Sequence, residues 1–301
     1  MRMSRTTVVC LVTGLLLAGS GCRDRFGGMA GADSTDLAAR EARLNAAKAT
    51  PDTGQWGAPL ARWVLPASLN EISGLALTPD GRLFGHPDER GIVSEINYRR
   101  GVVIKQFVLG RRGVQADFEG IAIVGEDFYL MGSNGKLYQF KEGANEANVE
   151  ITMHDTELGK ECEFEGLAYD STLNSLLMAC KHIGVKELKN HLVIYRWRLG
   201  DVSGARLSQI ATPVAQLIED NGWKEFRPTS IDVDPRSGNY VIITAELGLL
   251  IVSPEGAILE TRLLPETHDQ PEGVALTRDS MIIISDEAVT KPATLTLYRW
   301  P

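Results

Sequence analysis

Beyond Ala58, short apolar runs alternate with polar turns in a fixed order, and the order recurs five times. Each recurrence opens with an apolar run, at residues 74–78, 120–124, 166–169, 231–233 and 273–277. A turn rich in Gly, Asp, Pro and Ser follows, as in Pro79-Asp80-Gly81. A second run comes next (82–85, 128–132, 175–179, 240–245, 281–285), then a third (92–96, 136–140, 192–197, 248–252, 294–300). Four recurrences add a fourth segment, at 102–109, 149–154, 206–212 and 257–263. Apolar, β-rich runs between turn signals predict strands, and regular self-similarity predicts a repeat array such as a propeller. The fifth recurrence ends at Pro301 without a fourth strand, while a spare strand stands at 61–66. Pairing that strand onto the last blade would remove both open edges of a ring. The expected fold is therefore an all-β, five-bladed β-propeller over 58–301. The alternative is six blades, with a divergent one in 181–228, where loops are expected at 184–190 and 216–226.

The opening strand of each repeat starts with a related motif: Glu71-Ile72-Ser73-Gly74, Asp117-Phe118-Glu119-Gly120, Glu163-Phe164-Glu165-Gly166, Gln270-Pro271-Glu272-Gly273 and the weaker Pro228-Thr229-Ser230-Ile231. Aligned, they form one column of Ser73, Glu119, Glu165, Ser230 and Glu272. In a propeller the first strand of each blade lines the axis, so the column becomes a ring at one mouth. Three close carboxylates in an interior require either raised pKa values or a cation among them. An all-oxygen donor set suits Ca²⁺ and suits Mg²⁺ less well; without His or Cys in the ring, zinc is disfavoured. The plainer alternative is that each Glu-Gly opens a strand and its carboxylate bonds a neighbouring blade's backbone. Residues two positions earlier (Glu71, Asp117, Glu163, Pro228, Gln270) form a second tier. Second-strand ends add Asp88, Glu89, Ser133, Asn134, Lys181, Glu246, Asp286 and Glu287 around the same mouth. Those ends are otherwise solvated turn charges. Catalytic candidates are Asp88, Glu89, Glu163 and Lys181.

Composition narrows the classes. A chain of 301 residues, 44% hydrophobic and 23% charged, has enough apolar material for a core. A net charge of -8 argues against a nucleic-acid partner, which wants clustered Lys and Arg. The five histidines are scattered, and neither a Gly-x-Ser-x-Gly elbow nor a phosphate-cradling glycine loop is present.

Residues 1–21 read as a signal peptide: Arg2 and Arg5, an apolar run to Ala18, then Gly19-Ser20-Gly21 before Cys22. This resembles a bacterial lipoprotein signal, which implies lipidation of Cys22 and anchoring in the cell envelope, at the periplasmic face of the outer membrane. Gly19 departs from the aliphatic residue usual at that position. Residues 22–57 read as a tether, with a short surface helix expected over 36–47. Cys162 and Cys180 are left as a disulfide or as two free thiols.

The motifs Glu71-Ile72-Ser73-Gly74-Leu75-Ala76, Asp88-Glu89, Asp117-Phe118-Glu119-Gly120-Ile121-Ala122 and Glu165-Gly166-Leu167-Ala168-Tyr169-Asp170 resemble the SdiA-regulated family of envelope β-propellers. The order Ser, Glu, Glu, Ser, Glu is similar to the calcium-dependent nucleotidases of the soluble apyrase family. That resemblance implies that Ser73, Glu119, Glu165, Ser230 and Glu272 hold a central Ca²⁺. Ile72-Ser73-Gly74-Leu75-Ala76 alone resembles an esterase-like domain associated with phytases. The leading expectation is a calcium-binding module for a small molecule or an envelope protein. A calcium-dependent phosphoesterase is the alternative, and a metal-assisted lactonase or esterase comes third.

Overall fold

The computed structural model describes residues 34–50, 56, 58–200 and 207–301. The signal segment and Cys22 lie outside the described residues. Five antiparallel sheets follow one another along the chain. Blade 1 contains Ile72–Leu77, Leu83–Pro87, Ile92–Asn97 and Val102–Leu109; blade 2 contains Phe118–Val124, Asp127–Gly132, Lys136–Lys141 and Ile151–Asp155. Blade 3 runs Cys162–Asp170, Ser175–Ile183, His191–Arg198 and Leu207–Pro213, and blade 4 Pro228–Val233, Tyr240–Thr244, Gly248–Val252 and Ile258–Leu263. Blade 5 takes Pro271–Leu276, Met281–Asp286 and Thr294–Arg299 from the end of the chain. Its outer strand is Ala61–Val64, paired antiparallel with Ala61 opposite Leu297. First strands of successive blades pack side by side, and that of blade 5 meets that of blade 1. The ring is five-bladed and closed as expected.

The predicted divergent stretch forms no sixth blade. It holds a short 3₁₀ turn, Lys186–Leu188, and a two-turn helix, α2 (Ala215–Asn221), ended by Gly222 in the left-handed conformation. One strand boundary differs from expectation. Residues 148–149, read as entering blade 2, pair in parallel with Val108 and Leu109 as a fifth strand of blade 1.

The core is divided among the blade interfaces, which explains why both faces of most strands are apolar. Between blades 1 and 2, Phe84, Phe107, Phe118, Phe128 and Phe140 are buried together, with Phe84 and Phe128 edge to face at 5.0 Å between ring centres. Between blades 5 and 1 the cluster of Leu69, Ile72, Leu83, Ile283 and Leu295 includes Leu44, which is fully buried.

Leu44 belongs to α1 (Ser34–Ala49), so part of the expected tether is a docked element. The helix is longer than predicted and is fixed at both ends. Arg40 donates to the carbonyl of Arg100 at 3.1 Å, Arg100 pairs with Glu41 at 2.8 Å, and Lys48 pairs with Asp279 at 2.7 Å. Such partly exposed ion pairs contribute little; burying a whole leucine side chain contributes roughly 1.5–3 kcal/mol. Leu44 holds the helix. Elsewhere, Cys162 and Cys180 form a disulfide with 5.6 Å between Cα atoms, settling that open pair.

Candidate functional site: a carboxylate mouth on the propeller axis

In every blade the first strand skips one residue in its pairing with the second, just before it enters the ring. The skipped residues are Ser73, Glu119, Glu165, Thr229 and Glu272. A bulge of this kind re-aims a side chain out of the ladder. The residue after the bulge is glycine in four blades; a Cβ there would meet the next blade's backbone at Gly120 and Gly166, and the side chains of His86 at Gly74 and of Ser285 and Leu75 at Gly273. A Cβ on Gly120 would stand 2.7 Å from Leu167 N, and one on Gly166 3.0 Å from Ile231 N.

The register corrects one member of the expected column. Ser230 occupies the glycine position of blade 4, and its Oγ accepts from Val274 N of blade 5 at 3.1 Å. It is an inter-blade hydrogen bonder, not a ring member. Thr229 takes the ring position, with its Oγ1 donating to Pro271 O at 2.6 Å. The upper tier moves with it: its blade 4 member is Arg227, not Pro228, and Arg227 is paired with Glu246 at 2.8 Å. The signal was present in Pro228-Thr229-Ser230-Ile231 against Pro271-Glu272-Gly273-Val274. A shared serine drew the alignment one residue off.

The other four expected residues share one electrostatic environment, joined by Lys181. Ser73 Oγ donates to Glu119 Oε2 at 2.9 Å, and Lys181 Nζ donates to Glu165 Oε1 at 2.6 Å. Gln270 Nε2 donates to Glu272 Oε1 at 3.1 Å and also to Glu287 Oε2. Burial pushes Glu119 up to about 9, helped by the charge of Glu165. Burial likewise raises Glu272 to about 8, again with Glu165 adding. Glu165 is raised by burial against the opposing pull of Lys181. The lysine is itself held above its usual range: burial opposes its charge, but Glu165, Glu272 and Glu119 outweigh that. Both ways of relieving three crowded carboxylates therefore operate together. Protons are retained on two of them, and an ammonium serves the third.

Lys181 reaches the axis through a second irregularity. Glu163 pairs with His182 while Phe164 pairs with Cys180, leaving Lys181 unpaired between them. Cys180, next to it, is tied to Cys162.

The remaining candidates surround this ring. Asp88 is half-buried, its carboxyl raised by desolvation, and its Oδ1 is buried without a hydrogen-bond partner. Glu71 is raised mainly by the charge of Asp88. Glu89 and Glu163 are exposed. Two of the five histidines are buried, and His86 keeps its Nε2 without a hydrogen-bond partner. His86 is buried with Nδ1 3.0 Å from Pro87 O and is lowered to about 4 by burial. His268 is buried between Asp286 and Tyr298.

The donor types suit a hard cation, and Glu272 Oε2, buried without a partner, is an oxygen such a cation would use. The arrangement does not form a ready-made cage. Among the described residues no group of three acidic, His or Cys side chains converges as metal ligands do, and Lys181 Nζ stands against Glu165. Ring and cavity are also separate: a cavity of about 560 Å³ opens at the opposite mouth, lined by the far ends of the first strands.

No protein-family model matches the chain, and no curated protein matches it significantly in sequence. Solved structures of β-propeller proteins do resemble it. The glutaminyl cyclase of Myxococcus xanthus is 12% identical over 80% of this chain and 94% of its own, with a TM-score of 0.51. The PQQ-bound aldose sugar dehydrogenase of Streptomyces coelicolor is 12% identical over 80% and 99%, with a TM-score of 0.49. Virginiamycin B lyase of Staphylococcus aureus is 14% identical over 78% and 69%, with a TM-score of 0.42. At such identity the likeness is one of fold, and propellers host enzymes and binding modules alike.

Proposed function

We propose that the protein is a ligand-binding β-propeller of the bacterial envelope, anchored through a lipidated Cys22, whose working end is the carboxylate mouth. The observation that supports this reading is a ring of buried Glu165 and Glu272 and half-buried Glu119, served by the ammonium of Lys181, with Glu272 Oε2 unpartnered. Structural carboxylates are ordinarily paired one to one; here three carboxyls share one ammonium, and two keep protons that an incoming cation would displace.

Ca²⁺ is the cation the donor types favour, held by Ser73, Glu119, Glu165 and Glu272 once Lys181 leaves Glu165. When bound it would supply a fixed positive charge at the mouth for an anionic group of a small molecule or partner. The chain's own residues set the terms: Lys181 competes for Glu165, Gln270 orients Glu272, and Ser73 orients Glu119.

The phosphoesterase reading is weaker on one observation. Lys181 and Arg227 are both engaged by glutamates, and Arg90, the other basic residue near this mouth, is exposed, so no buried donor fork stands ready for a phosphate.

The test is the melting temperature in excess Ca²⁺, excess Mg²⁺ and EDTA for wild type, Glu165→Gln and Lys181→Met. A ligand at a hundred times its Kd adds about 2.7 kcal/mol to the native state. The expected result is a Ca²⁺-specific rise of several degrees, larger in Lys181→Met and absent in Glu165→Gln. Superimposable melts in all three buffers for all three proteins would remove the metal, leaving Lys181 as the permanent cation of the ring.

A further inference from the structure

At the opposite mouth, blade 4 departs from the other four in a second place. Three residues past the ring position the blades carry Ala76, Ala122, Ala168 and Ala275, but blade 4 carries Asp232. Its carboxylate accepts from Leu276 N of blade 5 at 2.7 Å and from Val233 N at 2.8 Å. No basic side chain pairs with it among the described residues, and it lines the cavity of about 560 Å³. Two amide donors leave each carboxylate oxygen with a further lone pair.

The surroundings are apolar. Leu77, Ile123, Tyr169, Val233 and Leu276, one from each blade, form the wall. The volume falls in the range of small-molecule sites, which combine an apolar lining with a few placed polar groups. Charges at the rim are spent or solvated. Arg99 is bonded to Asp279 at 3.0 Å, Asp80 to Arg82 at 3.2 Å, and Arg278 stands exposed, where water screens it.

We propose that this funnel is a second binding site, for a small molecule with an apolar body and one ammonium group that pairs with Asp232. The site is independent of the carboxylate mouth: it lies at the other end of the axis and shares no residue with the ring. A cation is the complementary partner because Asp232 is the lining charge that no basic side chain pairs with, whereas Arg99 and Asp279 pair with each other and Asp80 pairs with Arg82. An anionic head could meet only Arg278, whose field is weakened by solvent. The propeller does not require the inter-blade hydrogen bond of Asp232, since the four other blades carry alanine at this position.

The test uses three probes with one body and different heads: 4-phenylbutylamine, 4-phenylbutanol and 4-phenylbutyrate. Binding to the full chain is measured by titration calorimetry at pH 8 in EDTA. The amine is expected to bind at least tenfold tighter than the alcohol, with the carboxylate weakest. In Asp232→Ala, which copies the other blades, the tenfold preference should fall below threefold, while the protein still melts cooperatively. Equal affinities for the three probes, no binding of any, or a preference that survives Asp232→Ala would overturn the proposal. A preference lost in Glu165→Gln instead would place the amine at the carboxylate mouth and overturn it equally. Should Asp232→Ala fail to fold, Ala122→Trp, which fills the funnel wall opposite, must abolish amine binding; amine binding retained there overturns the proposal as well.

Discussion

Glu119 and Glu272 hold their protons in the folded protein at pH values where the unfolded chain has lost them. Both folded pKa values are raised, so between about 4.5 and 8–9 the native state binds more protons than the unfolded state, and stability falls as pH rises. The stabilising contribution is complete below the unfolded carboxylate range and is gone above about 9. In EDTA the melting temperature should drop from pH 5 to pH 9, and Glu119→Gln should flatten that slope. A slope unchanged by the substitution would mean that the ring does not hold this proton. At this scale the sequence was informative but not sufficient. The repeated Glu-Gly pair announced three carboxylates because the residue after each sits in a tight place that favours glycine. Blade 4 was misread because it fills that gap with serine, and a serine already stood in the ring column of blade 1. Lys181 was legible as a strand-end charge and a catalytic candidate, but not as a partner of the ring. What brings it to the axis is its own unpaired place between Cys180 and His182 in the ladder, which no pattern of apolar and polar residues reveals.

The inner strands were legible as elements because turn residues set them off and they are apolar on both faces, as a strand between two blades must be. The helix α1 was legible as a helix but not as part of the fold. Its sequence is mostly Ala, Arg and charged residues, with few large apolar side chains to announce a buried face. One residue decides the matter: Leu44 enters the cluster between blades 5 and 1. Leu44→Ala should cost about 3 kcal/mol, as deletion of a fully buried leucine side chain does. Lys48→Ala, which breaks only the partly exposed pair with Asp279, should cost less than about 1 kcal/mol. Chemical denaturation of the two variants separates the readings. Equal and small losses would show α1 to be a loosely attached segment. The parallel pairing of 148–149 with blade 1 escaped prediction for a different reason, since two residues carry no period at all.

For the molecule as a whole, the closing strand is the feature most fully legible in advance. A fifth repeat one strand short, and one strand spare at the other end, leave few other ways to close the ring. Removing residues through 65 would uncover the edge of Thr294–Arg299, now covered by Ala61–Val64. Uncovered edges recruit other chains. The truncated protein is expected to associate in size-exclusion chromatography with light scattering, whereas the full chain has that edge paired. A monomeric truncated protein would show that blade 5 tolerates three strands. The opposed mouths were only half legible: repetition pointed to the ring of acids, while Asp232 lay inside the run at 231–233 with no repeated motif to mark it.

The same closing strand governs when the protein can become itself. Ala61 meets Leu297, so the earliest strand of the ring waits for almost the last residues of the chain. Contacts between such distant segments are slow to form, because loop-closure entropy is lost before they reward it. Until Thr294–Arg299 is in place, blades can form one by one, but the ring stays open with an unpaired edge at blade 5 and at the incoming strand. The axis, with both of its mouths, comes into being only at the moment of closure.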